Sequence, residues 1–168
     1  MRFFFDTEFI EDGRTIDLLS IGIVAEDGRE LYLENANADF RQADPWVREN
    51  VFTSMLWTPA VQRDGLEIQH EVRLFCDPEE YGKPEFWAYY ADYDWVVLCQ
   101  LFGRMVDLPK GWPKFCLDFK QRLVEHGDLP IQKPSDEHAH NALEDARWLK
   151  SAFERTERLI SDMLRAGA

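Results

Sequence analysis

The chain has 168 residues, 45% hydrophobic and 30% charged, which is one ordinary globular domain's worth of sequence. No apolar run approaches the length of a membrane span, and Asp6 interrupts the N-terminal apolar run where a signal peptide would continue, so a cytoplasmic protein is expected. Thirty-two acids against 19 bases give a net charge of −13, the wrong sign for a protein that grips nucleic acid through basic surface. Two readings survive: no nucleic acid at all, or contact with a few nucleotides whose phosphates are met through bound divalent cations.

In chain order, Phe3–Phe5 is a short buried strand that ends in Asp6-Thr7-Glu8. Ile16–Val24 is rich in β-formers and predicts a second strand. Asp27-Gly28 is a hairpin turn signal, and Glu30–Leu33 alternates as a third strand should, so the N-terminus predicts an antiparallel meander. Pro45 to Asn50 predicts a helix start. Between Thr53 and Cys76 the pattern is weak, with a helix expected over Leu66–Phe75. Pro84 opens an aromatic strand, Glu85–Ala91. A helix follows from Asp94 to Phe102, stopped by Gly103. Lys114–Leu117 is a candidate short strand, Asp118–Glu125 a helix, and Leu129–Asp136 a Pro-containing loop. The last helix runs from Asn141 to Leu164, with Leu143, Ala146, Leu149, Phe153 and Leu159–Ile160 close to a 3.6 period. The order predicts a mixed sheet with helices packed on it. Cys76, Cys99 and Cys116, odd in number and widely spaced, read as reduced thiols rather than a disulfide scaffold or zinc site.

Three acidic constellations carry candidate chemistry. Asp6 and Glu8 lie two apart on a strand, so both carboxylates point to one side, where they repel unless a cation offsets them. Mg²⁺ or Mn²⁺ fits such oxygen ligands. The plainer reading is a chain that simply turns polar as it leaves the core. Asp94 stands at a strand-to-helix junction, where α/β domains often place sites; an N-cap is the plainer role, and Asp92 competes with it. His140 precedes the last helix, and Asp145 lies in its first turns on the face marked by Leu143, Ala146 and Leu149. An aspartate there needs a partner, although acids at a helix start also suit the macrodipole. A zinc pair from His138 and His140 lacks the further ligands such a site requires.

Together these residues resemble the DEDDh-type 3′–5′ exonucleases, a family with an RNase H-like fold. Asp6-Thr7-Glu8 is similar to the first motif, the stretch Tyr89 to Asp94 to the second, and His140 with Asp145 to the third in its histidine form. The likeness runs from Met1 to about Phe153. The stretches Phe5–Phe9 and His140–Arg147 are further similar to a small bacterial clade of RNase AS-like exoribonucleases. In many relatives an Asn precedes the aromatic-Asp pair of the second motif, where this chain has Tyr89, Tyr90 and Asp92.

The resemblance implies one α/β exonuclease domain over residues 1–168, an RNase H-like mixed sheet flanked by helices. It implies two ions, Mg²⁺ or Mn²⁺, held by Asp6, Glu8, Asp94 and Asp145, and two-metal-ion hydrolysis of the phosphodiester at the 3′ end. His140 is the implied general base; the carboxylates around it favour its charged form, so better activity is expected on the alkaline side of neutral. Phe9 is a candidate stacking platform for the terminal base, with plain core burial as its alternative. Arg147 and Lys150, which could contact phosphate, read as solvated surface charges. The implied partner is single-stranded nucleic acid, RNA rather than DNA and adenylate-rich within the clade. No membrane is expected; members of the clade resemble homodimers, and the sequence leaves the oligomeric state open. A DNA exonuclease of the same chemistry and a non-catalytic module on the same fold are the rivals.

Overall fold

The computed structural model describes residues 1–132 and 140–166. Its first three strands are β1 (Arg2–Glu11), β2 (Ile16–Ala25) and β3 (Glu30–Asn35), paired antiparallel as the meander predicted. The hairpin between β2 and β3 turns at Gly28, whose φ of 92° only glycine adopts easily. Helix α1 (Pro45–Asn50) starts on an Asp44 cap whose carboxylate accepts from the Val47 amide. Two unforeseen short elements follow, β4 (Gln62–Arg63) and, further on, α3 (Pro78–Tyr81). Between them α2 (Gly65–Phe75) opens with a reciprocal Asp64–Glu67 capping box. The remaining elements are β5 (Glu85–Ala88), α4 (Asp92–Phe102), β6 (Leu117–Asp118), α5 (Phe119–Glu125) and α6 (Ala142–Ala166).

The strands form one six-stranded mixed sheet in the order β4-β3-β2-β1-β5-β6, with β5 and β6 parallel to β1. With helices on it, this is an RNase H-like α/β architecture, as expected. Alternation along β1 sends Phe3 and Phe5 to one face and Phe4 to the other, and all three are buried. Phe3 and Phe5 pack with Ile68 and Val72 of α2 and with Val97 and Leu98 of α4. Phe4 packs with Phe119 and Leu123 of α5 and with Leu149 and Phe153 of α6. A third cluster joins Ile10 and Leu19 to Val51 and Met55 after α1. Each such side chain contributes roughly 1.5–3 kcal/mol of burial free energy.

Several expected boundaries move. β1 does not end at Asp6-Thr7-Glu8 but continues to Glu11, because β2 pairs with it throughout. β5 stops at Ala88 rather than Ala91: Tyr90 takes a left-handed φ of 59°, which ends the extended backbone. α4 begins at Asp92, so Asp94 lies inside its first turn, and Ala91 offers no side-chain cap. The candidate strand Lys114–Leu117 is reduced to Leu117–Asp118, and Asp118 caps α5 rather than belonging to it. On α6, Ile160 is buried but Leu159 is 52% exposed, so only one of that pair lies on the packed face. All three cysteines are free. The last part of the expected 129–136 loop, with His138, lies outside the described residues. Among the described residues, no helix is long and apolar enough to cross a membrane.

Candidate active site

β1 pairs with β5 only as far as Phe4, opposite Trp87. Beyond that point the strand's edge is open, and a cleft forms there past the ends of the parallel strands, where ligand sites of open α/β sheets lie. The open edge leaves the Thr7 amide without a ladder partner. Asp94 supplies one: its Oδ1 accepts from the Thr7 amide at 2.8 Å and from Thr7 Oγ1 at 2.7 Å, and the whole group is buried. The rival acid, Asp92, is exposed and does not reach the cleft.

Asp6 and Glu8 share the opposite face of β1 with Phe4 and Ile10, between two apolar clusters. α6 brings Asp145 to them. Asp6, Glu8 and Asp145 each present a carboxylate oxygen, and the three oxygens lie within 4.8 Å of one another. The close approach of α6 depends on Gly22, which stands opposite Asp6 on β2. A Cβ built there would lie 2.2 Å from the Ala142 carbonyl oxygen. Next to the pair, the β1–β2 register slips between Glu8 and Phe9, a bulge of the kind that re-aims side chains beside functional sites.

Three carboxylates this close, with the charge of Asp94 added, are costly to ionise together without a counter-charge. Burial, then the charges of Asp94, Glu8 and Asp145, hold Asp6 well above the usual carboxylate range. Glu8 is pushed up to about 8 by burial and then by Asp145 and Asp94. Asp94 rises to about 6 through burial, opposed by its bonds from Thr7. Asp145 is raised by burial, opposed by the amide of His140. Oxygen ligands grouped in this way could hold a divalent cation, whose charge would offset theirs.

His140 sits at the rim with a left-handed φ of 65°. Its amide donates to Asp145 Oδ2 at 2.9 Å, and its carbonyl accepts from the Ser54 hydroxyl. Asn141 ties the same turn down twice. Its Oδ1 accepts from the Leu143 and Glu144 amides at the start of α6, and its Nδ2 donates to the Ser54 carbonyl at 2.9 Å. The imidazole meets the edge of Trp46 at a centroid distance of 4.7 Å. The Ser54 turn is itself held by Glu34, a buried carboxylate that accepts from the Leu56 and Trp57 amides at 2.6 and 3.0 Å.

The cleft that joins these groups has a volume of about 570 Å³. All of the expected site residues line it: Asp6, Glu8, Phe9, Asp94, His140 and Asp145. Phe9 is partly buried against the core and stacks on Tyr93 at 5.8 Å and 11°, so it is both a core contact and part of the wall. Trp46, Tyr90, Tyr93 and Trp148 complete that wall, and sequence reasoning missed them as a group. The run from Tyr89 to Tyr93 carried a signal, as part of the stretch that resembles the second motif; Trp46 carried none. Arg147 pairs with Glu30 and Glu144 and Lys150 with Glu154, in keeping with ordinary surface charges.

A carboxylate cluster suited to divalent ions, with a histidine at its rim, at the open edge of an RNase H-like sheet, is the arrangement of a phosphodiester-cleaving enzyme. Residues 1–156 match the family described as the 3′-5′ exoribonuclease Rv2179c-like domain, and the chain belongs to that family. It is 43% identical over 149 residues, 88% of each chain, to the 3′-5′ exoribonuclease Rv2179c of Mycobacterium tuberculosis strain H37Rv. The likeness to the 3′-5′ exoribonuclease MT2234.1 of strain CDC 1551 has the same extent. A shorter similarity, 29% over 85 residues, to the Arabidopsis thaliana F-box protein At4g00893 covers 51% of this chain and 19% of that one.

Proposed function

We propose that this protein is a 3′–5′ exoribonuclease that removes nucleotides from the 3′ end of single-stranded RNA in a reaction dependent on Mg²⁺ or Mn²⁺. The observation that carries this reading is the meeting of Asp6, Glu8 and Asp145 oxygens within 4.8 Å, in a cleft that Asp94 also lines. Asp6, Glu8 and Asp145 would hold one ion, and Asp6 with Asp94 would hold the second. When bound, such ions offset the phosphate charge, acidify the attacking water and stabilise the leaving 3′ oxygen.

The rest is done by the protein's own groups. The imidazole of His140 accepts the proton of the attacking water, as a general base must. Its backbone is anchored on Asp145 and Ser54, so the ring is presented from a fixed turn. Phe9, backed by Tyr93, offers a ring face to the terminal base. The aromatic walls keep that base from turning while the phosphate meets the carboxylate cluster. One domain does all of this, and light scattering decides between a monomer and the homodimer that members of the clade resemble.

The test is a 5′-labelled single-stranded oligoadenylate and its DNA twin, incubated with Mn²⁺ or Mg²⁺ and with EDTA, beside Asp6→Ala and His140→Ala. A ladder that shortens from the 3′ end of RNA, and is abolished by EDTA and by Asp6→Ala, is expected. Faster digestion of the DNA would reassign the enzyme to DNA. Intact strands in both metals would leave a binding module.

A further inference from the structure

The walls of the cleft are made of rings and carboxylates, and among the described residues no Lys or Arg lines it. The basic residues nearest to it along the chain are already engaged. Arg147, two residues past Asp145, pairs with Glu30 and Glu144. Arg48, two residues past Trp46, donates to the carbonyls of Phe40, Arg41 and Ala43. Trp46, Tyr90 and Tyr93, by contrast, are 52%, 57% and 50% exposed, and all three face the cleft. At about 570 Å³ the cleft has the size of a small-molecule pocket, enough for the end of a nucleotide chain. The phosphates of any longer strand must then cross a protein of net charge −13.

These facts have opposite consequences from those of a basic nucleic-acid groove. A groove of Lys and Arg releases counterions on binding, so its affinity falls steeply with salt and grows with the number of phosphates covered. Stacking on rings is sequence-tolerant, and it releases no phosphate counterions of its own. Repulsion between distant phosphates and an acidic surface is long-ranged at low ionic strength, with a screening length of ~30 Å at 0.01 M against ~8 Å at 0.15 M. Added length therefore brings no contacts and some repulsion, and salt removes the repulsion.

We infer that the substrates of this site are short single-stranded oligoribonucleotides, bound by stacking of their last bases in the cleft on the Phe9–Tyr93 pair and on Trp46 and Tyr90, with affinity that declines with strand length. This inference rests on the exoribonuclease reading of the same cleft, and its test separates the two. kcat/KM is measured for a trinucleotide and a twelve-nucleotide oligoadenylate at fixed Mn²⁺, at ionic strengths of about 20 and about 300 mM. Kd for the same RNAs is read by fluorescence anisotropy with Ca²⁺ replacing Mn²⁺, which keeps binding visible where turnover is absent.

The trimer is expected to lead several-fold at low salt, with the ratio approaching one at high salt and the trimer itself changing less than about twofold. A dodecamer that is preferred at low salt, or that loses tenfold or more in affinity as salt rises, overturns the inference and leaves the exoribonuclease reading intact. The expected binding pattern without any shortening of either RNA does the reverse. No binding at either salt overturns both. Tyr93→Leu is expected to weaken both RNAs about tenfold, with Tyr93→Phe recovering most of it. An unchanged Kd in Tyr93→Leu removes Tyr93 from the stacking surface and overturns that part of the assignment.

Discussion

The backbone of Ala142 passes Gly22 so closely that no side chain fits between them: a Cβ on Gly22 would stand 2.2 Å from the Ala142 carbonyl oxygen and 2.3 Å from the Leu143 amide nitrogen. Gly22 pairs with Asp6 across the β1–β2 ladder, and Ala142 begins the helix that carries Asp145. One missing side chain thus sets the distance between two of the carboxylates.

Gly22→Ala is expected to push the start of α6 off the sheet. Overpacking of this kind costs about 1–3 kcal/mol, and the clash here is with backbone, which cannot swing aside. The variant should show a lowered Tm and, more tellingly, a smaller rise in Tm on adding Mn²⁺ than the wild type. A wild-type response to Mn²⁺ would mean that α6 can shift without opening the site.

Thr7→Val keeps the shape of the side chain and removes the hydroxyl that donates to Asp94. The bond lowers the Asp94 pKa against burial, so its loss lets the carboxyl hold its proton to higher pH. Affinity for the metal is expected to fall about 10- to 100-fold, as for other partners that orient metal-binding side chains. Activity titrated against Mn²⁺ at fixed pH reads this directly; an unmoved midpoint would show that the Thr7 amide alone orients Asp94.

The raised carboxylates make a signed prediction for stability. In the metal-free fold Glu8 titrates at about 8 and Asp94 at about 6, and Asp6 is also raised, whereas the unfolded chain loses these protons near pH 4. Between about pH 4 and 8 the folded state binds more protons, so its stability falls as pH rises through that window. A divalent ion replaces those protons, so the Tm increment from Mn²⁺ should grow from pH 5.5 to pH 8. Thermal melts with and without Mn²⁺ across that range check it; a pH-independent increment would place the ion elsewhere.

Asp94→Asn and Asp92→Asn separate the two acids of the aromatic stretch. Asp94 is buried against Thr7, and Asp92 is exposed at the start of α4. Loss of exonuclease activity by orders of magnitude is expected for Asp94→Asn, and a change within about twofold for Asp92→Asn, as for most surface substitutions. The reverse order, measured as initial rates on oligoadenylate, would overturn the assignment.

The N-terminal meander, helix α1, the α4 stop at Gly103 and the candidate acids were legible in the sequence because each rests on a local signal. Strand alternation puts Asp6 and Glu8 on one face whatever packs there, and a 3.6 period brings Asp145 near the buried side of α6. β4 and α3 are too short to leave a periodic trace, and β5 ends where Tyr90 turns left-handed, which no neighbour in sequence announces.

What only the tertiary structure decided depends on residues far apart in the chain. The burial of Asp94 at the cleft, where Asp92 is not, follows from its bond to the Thr7 amide 87 residues away. The grip of Ser54 on His140 joins segments 86 residues apart, and Trp46 reaches the same histidine from α1. Gly22 looked like any small residue in a strand until a helix passed over it. Residue types and local periods determined which chemistry this chain could carry. The open edge of β1 and the close approach of α6 decided where it is assembled, because convergence of distant carboxylates is a property of packing.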